Sequence, residues 1–526
     1  MENEEKKATE NGAEKRIKEL ENIVADLAGE VTHLKEVVAQ YKKMIFGQSS
    51  EKTKYMQEIP EQLNFFDEAE TEANPKEKEK TVVVEKHERK AKRTHEELIA
   101  TLLVEEVVLT IPEEERSCDK CGSELKPIGK EKVCDKLVII PAQFKIERTY
   151  RESYKCASCG VDEEKDSNLP DIGKRNIVKA PVPEPVIPNS LASASAVSYV
   201  MYEKYVNAMP LHRMEKDFEN KGIKIPRTTL ANWIITVSDK WLEPLWKALK
   251  KELLQNSVIQ ADETTVQVLK EPGRKPTQKS YMWVYRSGEF EEKPAVLYEY
   301  AQTRAGNNAG KFLEGYHGYL VADGYDGYNG VKAERCGCWA HLRRRFKEAI
   351  PDTDAVNSKA KIGYDYCDRL FKFEKKFKDL SSEERQEQRL KHEKLLLDEF
   401  WSWLDTIAPV GGTKLAKAVS YARGEKKYLI AFLNAPDVPI SNNLCENAIR
   451  PFTVGRKNWL FSASPQGAKS SAIVYSIVES AKANNLNPYK YLLHIFTDLP
   501  RLKLDDESIR RFLPWSDSIP DECRKI

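Results

Sequence analysis

Three acids stand where a folded chain needs a reason to keep them. Asp262 lies in VIQADETTVQVL (258–269), a strand-like run of apolar and β-branched residues in which a carboxylate is costly unless it has a partner or binds a cation. Asp323 ends the apolar run of GYLVADGYDGY (318–328), where Gly324 permits a sharp exit. Strand ends are where open α/β sheets place their sites. Glu446 is the only acid between Asp437 and Glu479, in the segment SNNLCENAIRPFTVGRKNWLF (441–461) with Arg450, Arg456 and Lys457. That segment predicts a helix started by Ser441, Asn442 or Asn443 and stopped before Pro451. Any one of these acids alone reads more simply as a cap or a surface ion pair. Together, two strands and a later helix can bring three carboxylates to two divalent ions about 3.5–4 Å apart, one activating an attacking oxygen and one stabilising the leaving oxygen of a phosphodiester.

The second chemical pattern is sulfur. Cys118-Asp-Lys-Cys121 and Cys156-Ala-Ser-Cys159 are two CxxC knuckles, each followed by glycine (Gly122, Gly160) and separated by 34 residues. The two-residue spacer lets both sulfurs reach one metal, and the glycine tolerates the turn that aims backbone N–H groups at sulfur. Four thiolates saturate a tetrahedral zinc ion, so the pattern predicts one structural Zn²⁺ rather than a catalytic one; a redox pair or free thiols is the plainer alternative. Cys134, between the knuckles, is a spare thiol or a substitute ligand. Cys336, Cys338, Cys367, Cys445 and Cys523 lack paired spacing and default to buried thiols.

The elements that must hold these residues follow from length and pattern. A chain of 526 residues predicts three to five units at about 100–200 residues each. Its 40% hydrophobic content and its 22 Tyr, 17 Phe and 9 Trp exclude a wholly disordered polymer. No run approaches 18 apolar residues, and the acidic start is unlike a signal peptide, so a cytoplasmic protein with no membrane contact is expected. Residues 1–80 hold 13 Lys+Arg against 19 Asp+Glu, leaving the remaining 446 residues with a net charge of +7. That excess alone fits an ordinary solvated surface as well as a nucleic-acid partner.

Apolar or near-apolar residues at 13, 17, 20, 24, 27, 31, 34, 38 and 41 alternate in steps of three and four, a heptad seam that predicts a coiled coil over 1–48 and a homodimer through it. Gly29 weakens it by about 1 kcal/mol relative to alanine. Residues 49–103 read as a charged linker, 104–170 as the Cys₄ module with short strands, and 171–189 as a stiffer, proline-rich linker. Residues 190–255 read as helices started by Pro210 and Pro226, with Gly222 at a helix end. From 256 to 478 the pattern is three strands, a helix and a further strand, with a charged helical insertion over about 345–438; 479–526 is a C-terminal helical segment. The fold class expected is therefore a multidomain α+β and α/β chain.

Four motifs, ADETTVQVL, DGYDGY, CWAHLRRRF and NNLCENAIRPFTVGRKNWLF, together resemble the transposases of the insertion-sequence-66 family, DDE transposases of the TnpC type. The resemblance extends over nearly the whole chain: a leucine-zipper-like region at 13–42, a short motif at MIFGQSSEK (44–52), a Cys₄ module at 115–160, a catalytic domain at about 187–475 and a small C-terminal domain. It implies a ribonuclease-H-like core in which Asp262, Asp323 and Glu446 are the catalytic acids and hold two Mg²⁺ or Mn²⁺ ions. It implies double-stranded DNA, both element ends and target, as partner, in a bacterial cytoplasm at the nucleoid, with element-encoded helper proteins as further partners. Cys338-Trp-Ala-His341 resembles the CxxH signature that follows the second aspartate in several DDE superfamilies; a fold-supporting pair, a DNA-related role and a metal site all stay open. Two departures are Thr265, where the family commonly has proline, and Cys445, where a small residue is common.

Candidate DNA contacts follow from placement. LHRMEKDFENKGIKIPRTTLANWI resembles a helix-turn-helix, whose second helix would present Arg227, Thr228, Thr229 and Asn232 to the major groove, though helical hairpins of this composition are ordinary. Arg343, Arg344 and Arg345, with Lys347 and with Arg450, Arg456 and Lys457, would line a backbone channel, and Trp339 and Trp459 would wedge or stack; solvated helix faces and core tryptophans are the bland alternative. The function expected is a metal-dependent DNA transposase. Its rivals are a domesticated, non-catalytic DNA-binding regulator and a metal-dependent nuclease that cuts without joining.

Overall fold

The computed structural model describes residues 143–155, 177–351 and 357–525. The heptad segment, the charged linker and the knuckle cysteines Cys118, Cys121, Cys156 and Cys159 lie outside the described residues. A short antiparallel pair, β1 (Ser153–Lys155) and β2 (Ile177–Lys179), precedes four helices: α1 (Ala194–Tyr205), α2 (Leu211–Asn220), α3 (Arg227–Val237) and α4 (Glu243–Leu253). Pro210 and Pro226 sit one residue before the expected first turn, as extended caps with ψ of 145° and 143°. Gly222, at φ +88°, ends α2 as expected. Its amide donates to the Glu219 carbonyl and the Ile223 amide to the Phe218 carbonyl, which satisfies carbonyls that the helix end would otherwise orphan.

A five-stranded sheet follows, built from β3 (Val258–Gln267), β4 (Lys279–Ser287), β5 (Val296–Ala301), β6 (Tyr319–Val321) and β7 (Glu334–Cys336) in the spatial order β5-β4-β3-β6-β7. The β5-β4-β3 half is antiparallel, while β6 and β7 run parallel to β3. The short helix α5 (Asn307–Phe312) links the halves. Both faces are covered. Ile259, Ala261, Leu320 and Ala322 join a core shared with α1–α4 and the C-terminal helices, whereas Val258, Val321 and Cys336 join a second core under the helical insertion. This explains why VIQA is buried at four successive positions instead of alternating.

The insertion contains α6 (Trp339–Ala349), α7 (Lys359–Phe377), α8 (Ser382–Gln388), α9 (Lys394–Asp405) and α10 (Lys414–Leu429). Trp339 is a core residue rather than a wedge: it is 1% exposed, and its indole N–H donates to the Leu429 carbonyl at 2.8 Å. Arg389, fully buried, pairs with Glu374 at 2.7 and 2.8 Å and donates to the carbonyls of Phe432, Ala435, Pro436 and Val438. It thereby fixes the path by which the chain leaves the insertion.

The next helix corrects an expectation. α11 runs over Asn443–Trp459 and passes through Pro451 instead of stopping before it. A proline inside a helix removes one N–H and crowds the carbonyl four residues back. Side chains bond carbonyls next to the proline: the Tyr298 hydroxyl bonds that of Ala448, and the Thr453 hydroxyl, from the helix itself, that of Arg450 at 2.9 Å. Burial of Phe452, Thr453 and Gly455 holds the second half in place. Helices α12 (Pro465–Ala483), α13 (Pro488–Asp498) and α14 (Asp506–Arg510) complete the fold. No described helix is long and apolar enough to cross a membrane.

Candidate active site

The sheet register points the first two acids at each other. Gln260 of β3 is paired in parallel with Val321, the last residue of β6, so Asp323, two residues past the end of that strand, leaves the sheet beside Asp262 of β3. Asp323 is held in an Asx turn, its carboxylate accepting the Tyr325 amide at 2.9 Å, while its carbonyl accepts from Arg335 at 2.8 Å.

Two hydrogen bonds at the residues just before Asp262 bring in the third acid. The side-chain amide of Asn442 donates to the Ala261 carbonyl at 2.8 Å, and the buried Gln260 side-chain oxygen accepts the Cys445 amide at 3.1 Å. Together they pin the first turn of α11, which carries Glu446, onto β3. Cys445 itself is fully buried, with its sulfur 3.5 Å from the Val284 carbonyl, which accounts for its bulk at this position. Sequence reasoning passed over Gln260 and Asn442; the available signal was a polar residue inside the apolar run VIQA and an asparagine among the predicted caps.

The electrostatics of Asp262 reflect the other acids around it. Burial pushes the Asp262 carboxyl well above the usual aspartate range. The charges of Glu263, Asp323 and Glu446 push it further, while the Glu263 amide, bonded at 2.8 Å, pulls it back. Glu263 was also overlooked, but it is satisfied: Tyr328 donates to it at 2.7 Å and Arg304 at 2.6 Å. Asp262, by contrast, has carboxylates for neighbours. Acids crowded in this way fit a divalent cation, the chemistry of an all-oxygen donor set.

A second group of donors adjoins Glu446. Ligand atoms of Cys338, His341 and Glu446 lie within 4.8 Å of one another, and His341 Nδ1 is 3.7 Å from Glu446 Oε1. Burial pushes the Cys338 thiol up to about 11 although the Asn442 amide donates to its sulfur at 3.2 Å. Burial lowers the His341 pKa against the opposing pull of Glu446 and Asp323.

The basic residues divide. Arg344 reaches the other Glu446 oxygen, Oε2, at 3.4 Å, and Arg345, exposed, lies over the Tyr421 ring at 4.4 Å. Arg343 is bonded to Asp368 and the Tyr364 hydroxyl. Arg450 and Lys457 are exposed. Arg456 is turned inward, donating to the Thr264 and Thr265 hydroxyls at 3.1 Å and to the Thr265 carbonyl. Trp459 is half-buried with Lys204 3.9 Å over its ring. On the helix-turn-helix-like pair α2–α3, Arg227, Thr228 and Asn232 are exposed in the first half of α3.

Comparison with known proteins agrees with this arrangement. The profile described as "Transposase IS66 family" matches residues 189–470, more than half of the chain, and the "IS66 C-terminal element" matches 476–515. The "zinc-finger binding domain of transposase IS66" matches residues 115–160, which contain both knuckles. A profile described as "Transposase C of IS166 homeodomain" matches 33–107, taking in the whole of the stretch that composition reads as linker. Two similar proteins of Sinorhizobium fredii, both uncharacterized, are y4jD, 26% identical over 77% of this chain and 79% of its own length, and y4qI, 27% identical over 87% and 84%. The set of matches, in this order along one polypeptide, shows that the chain belongs to the IS66 transposase family.

Proposed function

We propose that this chain is a DDE transposase, a polynucleotidyl transferase that frees the ends of a mobile element and joins their 3′-hydroxyls to target DNA. The observation that carries the reading is the approach of Asp262 on β3 and Asp323, just past the end of the neighbouring β6, with Glu446 on a helix bonded to β3. The sheet order supports a ribonuclease-H-like core: numbered from its first strand it reads 3-2-1-4-5, with the antiparallel half first.

Asp262, Asp323 and Glu446 would hold two Mg²⁺ or Mn²⁺ ions; bound there, such ions activate the attacking oxygen and stabilise the leaving one. Joining is a direct transesterification: the 3′-oxygen forms a bond to a target phosphorus as that phosphorus loses its bridging oxygen, and no covalent enzyme–DNA intermediate is needed. Arg344 beside Glu446, with exposed Arg345, Arg450 and Lys457, would neutralise DNA phosphates. The exposed N-terminal half of α3 would read a groove. The Cys₄ module at 115–160 would bind one structural zinc, and the heptad segment would pair protomers so that two ends are handled together, in the bacterial cytoplasm.

The test is product analysis with a labelled element-end duplex, a supercoiled target and Mg²⁺. Label covalently joined to target supports the transposase. Hydrolysed ends without joining would favour a nuclease, and binding with neither product a regulator.

A further inference from the structure

We propose that Cys338, His341 and Glu446 form a transition-metal site, with zinc as its ion, that shares Glu446 with the carboxylate cleft and no residue with the Cys₄ module. Three observations carry it. The donor atoms of the three residues are mutually within 4.8 Å, and they are drawn from the N-terminal turns of two helices, α6 and α11. His341 Nδ1 and Glu446 Oε1 are both buried and both lack a hydrogen-bond partner, while facing each other at 3.7 Å. Buried polar atoms are rarely left unpaired, and two that confront each other across such a gap mark the place of a missing third party. The distance is near the edge of a zinc tetrahedron, about 3.3 Å for bonds of about 2.0–2.1 Å. Finally, Cys338 is fully buried at the mouth of α6, and its sulfur accepts the Asn442 amide at 3.2 Å. An amide donating to sulfur stabilises a thiolate, the form that ligates metal.

A thiolate, an imidazole and one carboxylate oxygen suit zinc, whereas magnesium takes oxygen ligands. Three protein ligands also leave the fourth tetrahedral position open. The site ties α6, and so the helical insertion, to the helix that carries the third acid. Glu446 gives it Oε1 and keeps Oε2, the oxygen near Arg344, for the cleft.

The test counts zinc in the purified full-length chain by elemental analysis, without DNA, so its outcome does not depend on transposition chemistry. Two zinc ions per chain are expected. His341→Ala and Cys338→Ser should each hold one, and Asp262→Asn should still hold two. Because Cys338 is a core residue whose replacement can unfold the protein, a Cys118→Ser/Cys121→Ser chain provides an independent measure: it should retain one zinc, bound roughly 10-fold or more weakly once His341→Ala is added. One zinc in the wild type, with none left after loss of the knuckle cysteines, would overturn the proposal. So would a second zinc that disappears with Asp262→Asn but not with His341→Ala.

Discussion

Arg456 shows how much a single side chain's surroundings change its meaning. Beside the third acid in sequence, it invites assignment to the DNA backbone; in the fold, its guanidinium ties the end of α11 to Thr264 and Thr265 on the strand of Asp262. Thr265, where the family commonly has proline, supplies a hydroxyl and a carbonyl to that contact. Arg456→Ala should therefore destabilise the fold by about 1 kcal/mol, the loss of hydrogen bonds to half-buried acceptors, as read by chemical denaturation. Its salt dependence of DNA binding should stay unchanged. Lys457→Ala, at an exposed neighbour, should do the reverse: stability within about 0.5 kcal/mol of wild type, and a slope of log affinity against log salt that is smaller by about one. The three candidate acids stood out in the sequence because each breaks a rule of burial or placement. Arg456 was not, because nothing in its neighbours indicates which side of the helix meets the sheet.

At the scale of elements, the cleft depends on how α11 is seated. Gln260 and Asn442 hold its first turn to β3 at the two residues just before Asp262. Asn442→Ala should cost about 1–3 kcal/mol of stability and should lower the cleavage rate more than end binding, since it frees the helix bearing Glu446 without touching DNA. Sequence periodicity located this helix but ended it at Pro451. The burial of its second half, Phe452, Thr453 and Gly455, shows only once the fold is known. The Cys338–Asn442 bond was equally hidden, since it joins residues 104 positions apart.

The insertion offers a pH test. Glu393 is fully buried in it, neither of its oxygens has a hydrogen bond, and Arg389 is 3.9 Å away. Burial first, then the charge of Glu374, pushes its pKa up to about 9. The folded state therefore binds one more proton than the unfolded state between the ordinary glutamate range and about pH 9. Stability from this group is greatest at low pH and is lost as pH rises through that window, by at most about 1.4 kcal/mol per pH unit. Glu393→Gln should flatten the fall, so that melting temperatures of variant and wild type diverge in the variant's favour from pH 6 to pH 8. Parallel curves would mean that the carboxyl is ionised in the folded protein.

For the whole molecule, the sheet joins two helical layers, and the acids lie where its parallel and antiparallel halves meet, between β3 and β6. The two aspartates could be anticipated from an acid within one strand-like run and another ending an apolar run, whereas the contribution of a third acid more than a hundred residues later depended on the insertion folding back. The heptad pattern predicts that removing residues 1–48 lowers the mass measured by light scattering from dimer to monomer while the core still melts cooperatively. The proposed chemistry is tested most directly by strand cleavage of an element-end duplex in Mg²⁺, comparing wild type with Asp262→Asn, Asp323→Asn and Glu446→Gln. Wild type should leave a 3′-hydroxyl at the element end, and each variant should bind the duplex yet fall by at least about 10²-fold in rate, as expected when a metal-holding carboxylate is lost. A folded variant lacking any one of the three acids that still cuts at the wild-type rate would contradict their assignment as one catalytic set.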